Sequence, residues 1–244
     1  MNLKSKIVLA LLATSSAAFA QTAPAAPEVT YNVGVVSQYR YRGIAQTKGD
    51  PALQGGVDYA NANGFYAGAW GSTIKWIEDA STSNKGSTEV DLYAGYKFEA
   101  GGLAYDVGYL RYEYLNNNTV PNSNTDEAYG AVTYGVFTAK YSYAFSNLFG
   151  AANTKGSEYF DLSANFDLGN GYTLTPHVGR QVIKNTANSY NDAALTLTKD
   201  FGQGLSGSVA AIATTAKDEA FYVSTVSQYN TAKNAVVVGV KYSF

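Results

Sequence analysis

The sequence predicts an all-β chain closed into an antiparallel transmembrane barrel of about twelve strands, with short periplasmic turns at one end and longer extracellular loops at the other. Three observations carry this reading. Apolar and polar residues alternate with period two along one segment after another. The polar connections between those segments run long, short, long, short. The chain also ends on an alternating strand whose apolar side finishes in aromatics. In residues 234–244, Val236, Val238, Val240, Tyr242 and Phe244 share one face, and Ala235, Val237, Gly239, Lys241 and Ser243 the other.

The first twenty residues stand apart. Lys4 and Lys6 precede an apolar run over 7–13, and small residues end in Ala18-Phe19-Ala20. That is the pattern of a cleaved export leader, and the run is shorter than the roughly 20 apolar residues a membrane helix needs. Residues 1–20 therefore read as a signal peptide, 21–28 (QTAPAAPE) as a loose periplasmic linker and 29–244 as the barrel.

Composition narrows the function. Cys is absent, so neither a disulfide frame nor a thiolate metal site exists, and no cofactor motif appears. Without Lys4 and Lys6, 15 basic residues stand against 19 acidic ones, a formal charge of −4. Nucleic-acid binding would call for a basic patch, so that class is set aside.

The segments follow in order. The first, 29–42, sets Tyr31, Val33, Val35, Tyr39 and Tyr41 against Asn32, Gly34, Gln38, Arg40 and Arg42. After a polar stretch, 52–60 places Leu53, Val57 and Tyr59 opposite Gln54 and Asp58. A tight turn at 61–64 leads into 65–76, which alternates poorly, with Trp70, Ile74 and Trp76 on one face and Phe65 on the other. The fourth segment is clean: Val90, Leu92, Ala94, Tyr96 and Phe98 oppose Glu89, Asp91, Tyr93, Gly95 and Lys97. In the fifth, Leu103, Tyr105, Val107 and Tyr109 oppose Ala104, Asp106 and Gly108, and a slip of phase near Leu110 predicts a bulge. The sixth, 127–134, is ambiguous in phase. The seventh alternates Phe137, Ala139, Tyr141 and Tyr143 with Thr138, Lys140 and Ser142.

In the eighth, Phe160, Leu162, Ala164, Phe166 and Leu168 oppose Asp161, Ser163, Asn165 and Asp167. Gly169-Asn170-Gly171 is a strong hairpin signal. The ninth sets Tyr172, Leu174, Pro176 and Val178 against Thr173, Thr175, His177 and Gly179. The tenth sets Ala193, Leu195 and Leu197 against Asp192, Thr196 and Thr198. The eleventh sets Leu205, Val209 and Ala211 against Ser206, Ser208 and Ala210. A long variable stretch, 214–233, precedes the terminal strand.

Closure follows from solvation. An unpaired N–H or C=O in hydrocarbon costs several kcal/mol, so a sheet survives there only without an edge. Twelve strands at about 4.8 Å spacing give a backbone radius of roughly 12 Å, between the filled interior of eight strands and the aqueous channel of sixteen.

Three stretches, VSQYRYRG at 36–43, LQGGVDY at 53–59 and GFYAGAWGS at 64–72, resemble the TorF family, proteobacterial proteins described as outer-membrane porins without an assigned substrate. The resemblance extends over the mature chain. It implies a cell outer-membrane location in a Gram-negative envelope, a barrel fold and a porin's transport role, and it brings no catalytic motif.

On this reading the pore-lining candidates are Gln38, Arg40 and Arg42 near the outer mouth, with Asp58, Glu89, Asp91, Lys97, Asp106, Lys140, Asp161, His177, Asp192 and Lys241 along the wall. The arginines either draw anions, as charge rings do in pores, or pair with lumen carboxylates. The signs nearly balance, so no ion selectivity is assigned. His177 is the only histidine. It is weighed as the base of an outer-membrane lipid hydrolase and set aside, because alternation turns it inward and the position two residues on is Gly179. Glu78 with Asp79, and Asp126 with Glu127, have the oxygen chemistry of a Ca²⁺ site but read as solvated loop charge. The tyrosine excess reads as girdles at the membrane boundaries. Tyr242 and Phe244 read as the signal for the barrel-assembly machinery. The expected partners are outer-membrane lipid and small solutes. The expected activity is passive diffusion, and the alternative is a non-conducting structural or adhesive barrel acting through its loops.

Overall fold

In a computed structural model of the chain, residues 27–80, 83, 85–216, 219–224 and 226–244 are described. The predicted leader and nearly all of the predicted linker lie outside them. Glu28, assigned to the linker, is already paired with Ala60. The barrel strands are β1 (Glu28–Val36), β2 (Ala52–Ala60), β3 (Phe65–Thr73), β4 (Thr88–Ala100), β5 (Leu103–Leu115), β6 (Thr125–Tyr134) and β7 (Phe137–Ala144). They continue as β8 (Glu158–Ala164, resuming at Phe166–Gly169), β9 (Tyr172–Val182), β10 (Tyr190–Gly202), β11 (Leu205–Thr214) and β12 (Ala235–Ser243).

Each strand pairs antiparallel with the next, and β1 pairs with β12 in the register Val33↔Tyr242 and Val35↔Val240. The sheet is thus a closed barrel of twelve strands. The seam is finished by the last residue: Tyr31 N donates to Phe244 O (2.8 Å) and Phe244 N to Tyr31 O (2.9 Å). The turn between β8 and β9 is the predicted hairpin, with Asn170 at φ 50° and Gly171 at φ 77°, the left-handed pair that a two-residue turn between twisted strands requires.

Alternation sorts the two faces. Outside lie Val33, Val35, Leu53, Val57, Leu92, Leu162, Leu195, Val236 and Val240, with Leu53 57% and Val236 63% exposed. Inside, the register aligns Gln54, Ser72, Glu89 and Tyr114 in one row, and Asp58, Gly68, Tyr93 and Leu110 in another.

Four readings change. β1 stops at Val36, and the segment 37–47 leaves the wall and folds into the bore, carrying a two-residue hairpin, Arg40–Tyr41 against Ile44–Ala45. Tyr39 and Tyr41 therefore do not face outward. Tyr39 is 3% exposed and its ring lies edge-on to Trp70 at 5.5 Å. Second, β5 has no bulge at Leu110, since its register with β4 is unbroken from Leu103 to Leu115. The apparent slip arises because Leu110, Tyr112 and Tyr114 point inward and pack against the inserted segment, whereas Arg111 points outward and pairs with Glu113 and Asp126. Third, β3 ends at Thr73. Ile74 is buried beyond it, and Trp76 opens the short helix α1 (Trp76–Ala80).

Fourth, the tyrosines are not only girdles. Tyr31, Tyr96, Tyr109 and Tyr242 are outside, but Tyr39, Tyr112, Tyr114, Tyr159 and Tyr190 are buried. Further down the bore, inward glycines receive phenols from adjacent strands. Gly68 lies beneath Tyr93, Gly95 beneath Tyr66, Gly108 beneath Tyr129 and Gly179 beneath Tyr159, each so closely that a Cβ on the glycine would overlap the ring.

Candidate functional site: a charged bore behind an inward loop

The bore has two parts. At the long-loop end, the segment 37–47 spans it from wall to wall. The Tyr39 hydroxyl donates to Glu89 Oε1 on β4 (2.9 Å). On the other side, Arg42 reaches β6 and β9. Its Nη1 and Nη2 donate to the two oxygens of Glu127 (3.0 and 2.7 Å), and Nη1 also donates to Gln181 Oε1 (2.9 Å). The guanidinium lies 4.2 Å from the Tyr159 ring centroid and 4.8 Å from that of Tyr41. Burial disfavours the Arg42 charge, Glu127 favours it by its charge and its hydrogen bonds, and the guanidinium pKa lies above its ordinary value. A fork-to-fork pair of this kind in a shielded site is strong and strict in geometry.

Arg42 adopts φ 46°, and Gly43 beside it φ 80°, so the chain reverses there. Arg40 holds the same segment to the longest loop. Its Nη1 donates to the carbonyls of Gly43, Thr231 and Lys233 (3.0, 3.0 and 2.6 Å), and its Nε donates to Gln38 Oε1 (2.8 Å).

Arg40 and Arg42 thus sit inside a packed closure, at 2% and 4% exposure, rather than along an open passage. Glu89 is equally buried beneath Tyr39, and Asp91 lies one inward position further along the same strand. Gln38 is half-buried at the start of the segment.

Towards the short-turn end the remaining candidates line the wall. The Tyr66 hydroxyl donates to Asp106 (2.6 Å) and shares a short hydrogen bond with Tyr129, while Tyr93 donates to Asp58. Lys97 Nζ lies 5.0 Å from the Tyr66 ring centroid and Lys140 Nζ 4.0 Å from that of Tyr129. Lys241 projects inward from β12 opposite Gly34 of β1. Tyrosines therefore hold the carboxylates by their hydroxyls and the amines by their faces.

Between the two parts, His177 Nε2 lies 2.5 Å from Asp161 Oδ2 and 3.2 Å from the Tyr159 hydroxyl, which also donates to Asp192 (3.0 Å). Ser163 is directly opposite His177 in the β8–β9 register, and all of these side chains are inside the barrel. Of the acids read as solvated loop charge, Asp126 and Glu127 instead lie in β6, and Glu127 is buried: Asp79 bonds Lys48 and Ser227, Asp126 bonds Arg111, and Glu127 bonds Arg42.

Sequence reasoning missed Glu127, Gln181, Tyr66 and Tyr129. Glu127 shares its parity with Tyr129 and Ala131, but the sixth segment offered no clean apolar face to fix that parity. The usable signal was the set of glycines at inward positions, since a missing side chain on a lumen face marks the space a neighbour occupies.

A family model described as a bacterial protein of unknown function, Gcw_chp, matches residues 20–244. No curated protein matches the sequence. Among solved structures, the chain is similar to the KdgM porin in complex with disordered oligogalacturonate, with a TM-score of 0.55 and 10% identity over 88% of this chain and 98% of that one. It is likewise similar to the NanC porin, with a TM-score of 0.54 and 13% identity over 88% and 99%. At such identities the likeness is one of fold.

Proposed function

We propose that this chain, which belongs to the Gcw_chp family of bacterial proteins, is a porin-type channel of the outer membrane. It passes small hydrophilic solutes or ions through a bore narrowed at its outer end by the segment 37–47. The observation that carries this reading is the state of the lumen amines. Among the described residues, neither Lys97 nor Lys140 forms an ion pair. Charged amines without a paired carboxylate are costly in a dry interior, so the lower bore is read as holding water.

The location follows from the outer face. A girdle of exposed Val, Leu, Phe and Tyr runs around the barrel, far more apolar surface than a monomer in water presents. The barrel fold shared with porins and the resemblance of residues 36–72 to the TorF family support the same reading. The lower bore carries Lys97, Lys140 and Lys241 against Asp58 and Asp106, with Glu99, Asp167 and Asp200 at the inward positions nearest the short turns, so its selectivity is set by charges of both signs. His177 and its carboxylates are read as wall structure rather than as catalytic machinery, because no lipid reaches the inside of the barrel.

A second reading, a non-conducting barrel acting through its loops, is favoured by the packed closure at the outer end. Planar-bilayer recordings separate the two. Current steps from the purified protein, larger when the closure is loosened by Arg42→Ala, support the channel. Silence from both proteins would establish the second reading.

A further inference from the structure

On the lipid side of the wall, a shallow trough of about 960 Å³ crosses the strands from β5 to β11. The registers align its upper row as Val107, Gly130, Tyr141, Phe160, Arg180 and Asn191. Its depth comes from small outward residues, Gly130, Ala139, Ala193 and Ala213. Six strand spacings of about 4.8 Å make it about 29 Å long. Such a row runs perpendicular to tilted strands, so the trough climbs the barrel. Its low end, at Val107, lies near the short-turn start of β5 at Leu103. Its high end, at Asn191, is next to Tyr190, where β10 leaves the long loops.

At the high end stands a cation without a carboxylate. Arg180 is exposed and forms no ion pair among the described residues. Arg111, the other outward arginine, is paired with Glu113 and Asp126. The acid on the neighbouring strand, Glu158, is held by the Tyr141 hydroxyl, which donates to its Oε1 (3.0 Å). Arg180 Nη1 donates to Asn191 Oδ1 (2.9 Å), which orients the guanidinium and leaves its remaining donors open. An arginine facing lipid is costly at the bilayer midplane and tolerated near the boundaries, where aromatics gather. Tyr141 and Phe160, in the same row as Arg180, have ring centroids 4.9 Å apart. The geometry points to a binding site for a phosphate-bearing lipid of the outer leaflet, with its phosphate on Arg180 and an acyl chain in the trough. A guanidinium matches phosphate through two parallel hydrogen bonds, and a furrow open to hydrocarbon is filled by a chain. The site rests on the outer-membrane location proposed above and not on conduction.

The test is native mass spectrometry of the purified barrel in non-ionic detergent, with dioleoyl phosphatidylglycerol and dioleoyl phosphatidylcholine at equal concentration. The anionic lipid should be retained over the zwitterionic one by about fivefold, the worth of one cationic side chain at an anionic membrane surface. Arg180→Gln should abolish that preference, and Ala193→Phe, which fills the trough beside Val178, should weaken both lipids. Either variant suffices if the other fails to fold. Lys199→Gln removes the same charge at the short-turn margin, where Lys199 lies against Tyr172, and should leave the preference intact. Equal retention of the two lipids, a preference that survives Arg180→Gln, the same loss in Lys199→Gln, or a dimer that holds no lipid overturns the proposal. Membrane fractionation tests the location separately, so a barrel recovered in the outer membrane without lipid preference sinks this site alone.

Discussion

Arg42 and Glu127, 85 positions apart in sequence, face each other across the bore with Nη2 2.7 Å from Oε2 and both side chains only 3% exposed. This pair fixes the inserted segment to the far wall. Removing one partner of such a pair leaves the other buried and uncompensated, which costs about 3–5 kcal/mol. Arg42→Ala is therefore expected to free the segment and raise single-channel conductance several-fold. Arg42→Lys should restore little, because an ammonium cannot reproduce the two-pronged contact. Bilayer recording of the three proteins checks this, and equal conductance in all three would remove the segment as the constriction.

The tyrosine–glycine contacts make a stability prediction with an internal control. A Cβ at Gly108 would lie 2.5 Å from the Tyr129 ring, whereas one at Gly130 would meet nothing within 4 Å. Gly108→Ala should destabilise the barrel by about 1–3 kcal/mol through overpacking. Gly130→Ala should stay within about 0.5 kcal/mol. Urea unfolding followed by heat-modifiable migration on gels measures both, and similar losses at the two sites would refute the contact.

The lower bore predicts charge selectivity. Lys140 lies 4.0 Å from the Tyr129 ring centroid with no ion-pair partner among the described residues. Lys140→Glu replaces a positive charge by a negative one and should move the reversal potential in a salt gradient towards cations. The shift should shrink as ionic strength rises and the Debye length falls below roughly 8 Å. An unmoved reversal potential would mean that ions do not pass this wall.

The carboxy-terminal residue closes the seam with two backbone hydrogen bonds to Tyr31, and its ring stacks on Tyr31 at 5.7 Å and on Tyr242 at 5.5 Å. Deleting Phe244 should lower the yield of folded barrel in outer-membrane fractions by several-fold. Tyr242→Ser alone should lower it less, since the backbone pairing stays. Normal yield from the deletion would show that neither the ring nor the seam contact guides assembly.

Two kinds of information separate along this chain. Where a segment is wet on one side and apolar on the other, as in Val236–Phe244 or Phe160–Leu162, residue parity already fixes which way each side chain points. Strand number, closure and the inward placement of Lys97, Lys140 and Asp161 follow from it. Parity falters where the inner side of a segment packs against protein. The apolar Leu110 reads as a slip of phase, and Tyr39 and Tyr41 as a continuation of β1, because burial in a packed closure and contact with an apolar surround select the same residue types.

The sequence by itself therefore determined the barrel, since alternation is a local record of two different solvents on the two faces of a strand. Only the tertiary structure decided that residues 37–47 turn into the bore. That choice rests on Glu127, Gln181 and Glu89, which are distant in the chain and brought together only when the sheet closes. A side chain's direction is set by its neighbours in sequence, but a partner across the bore is set by the circumference.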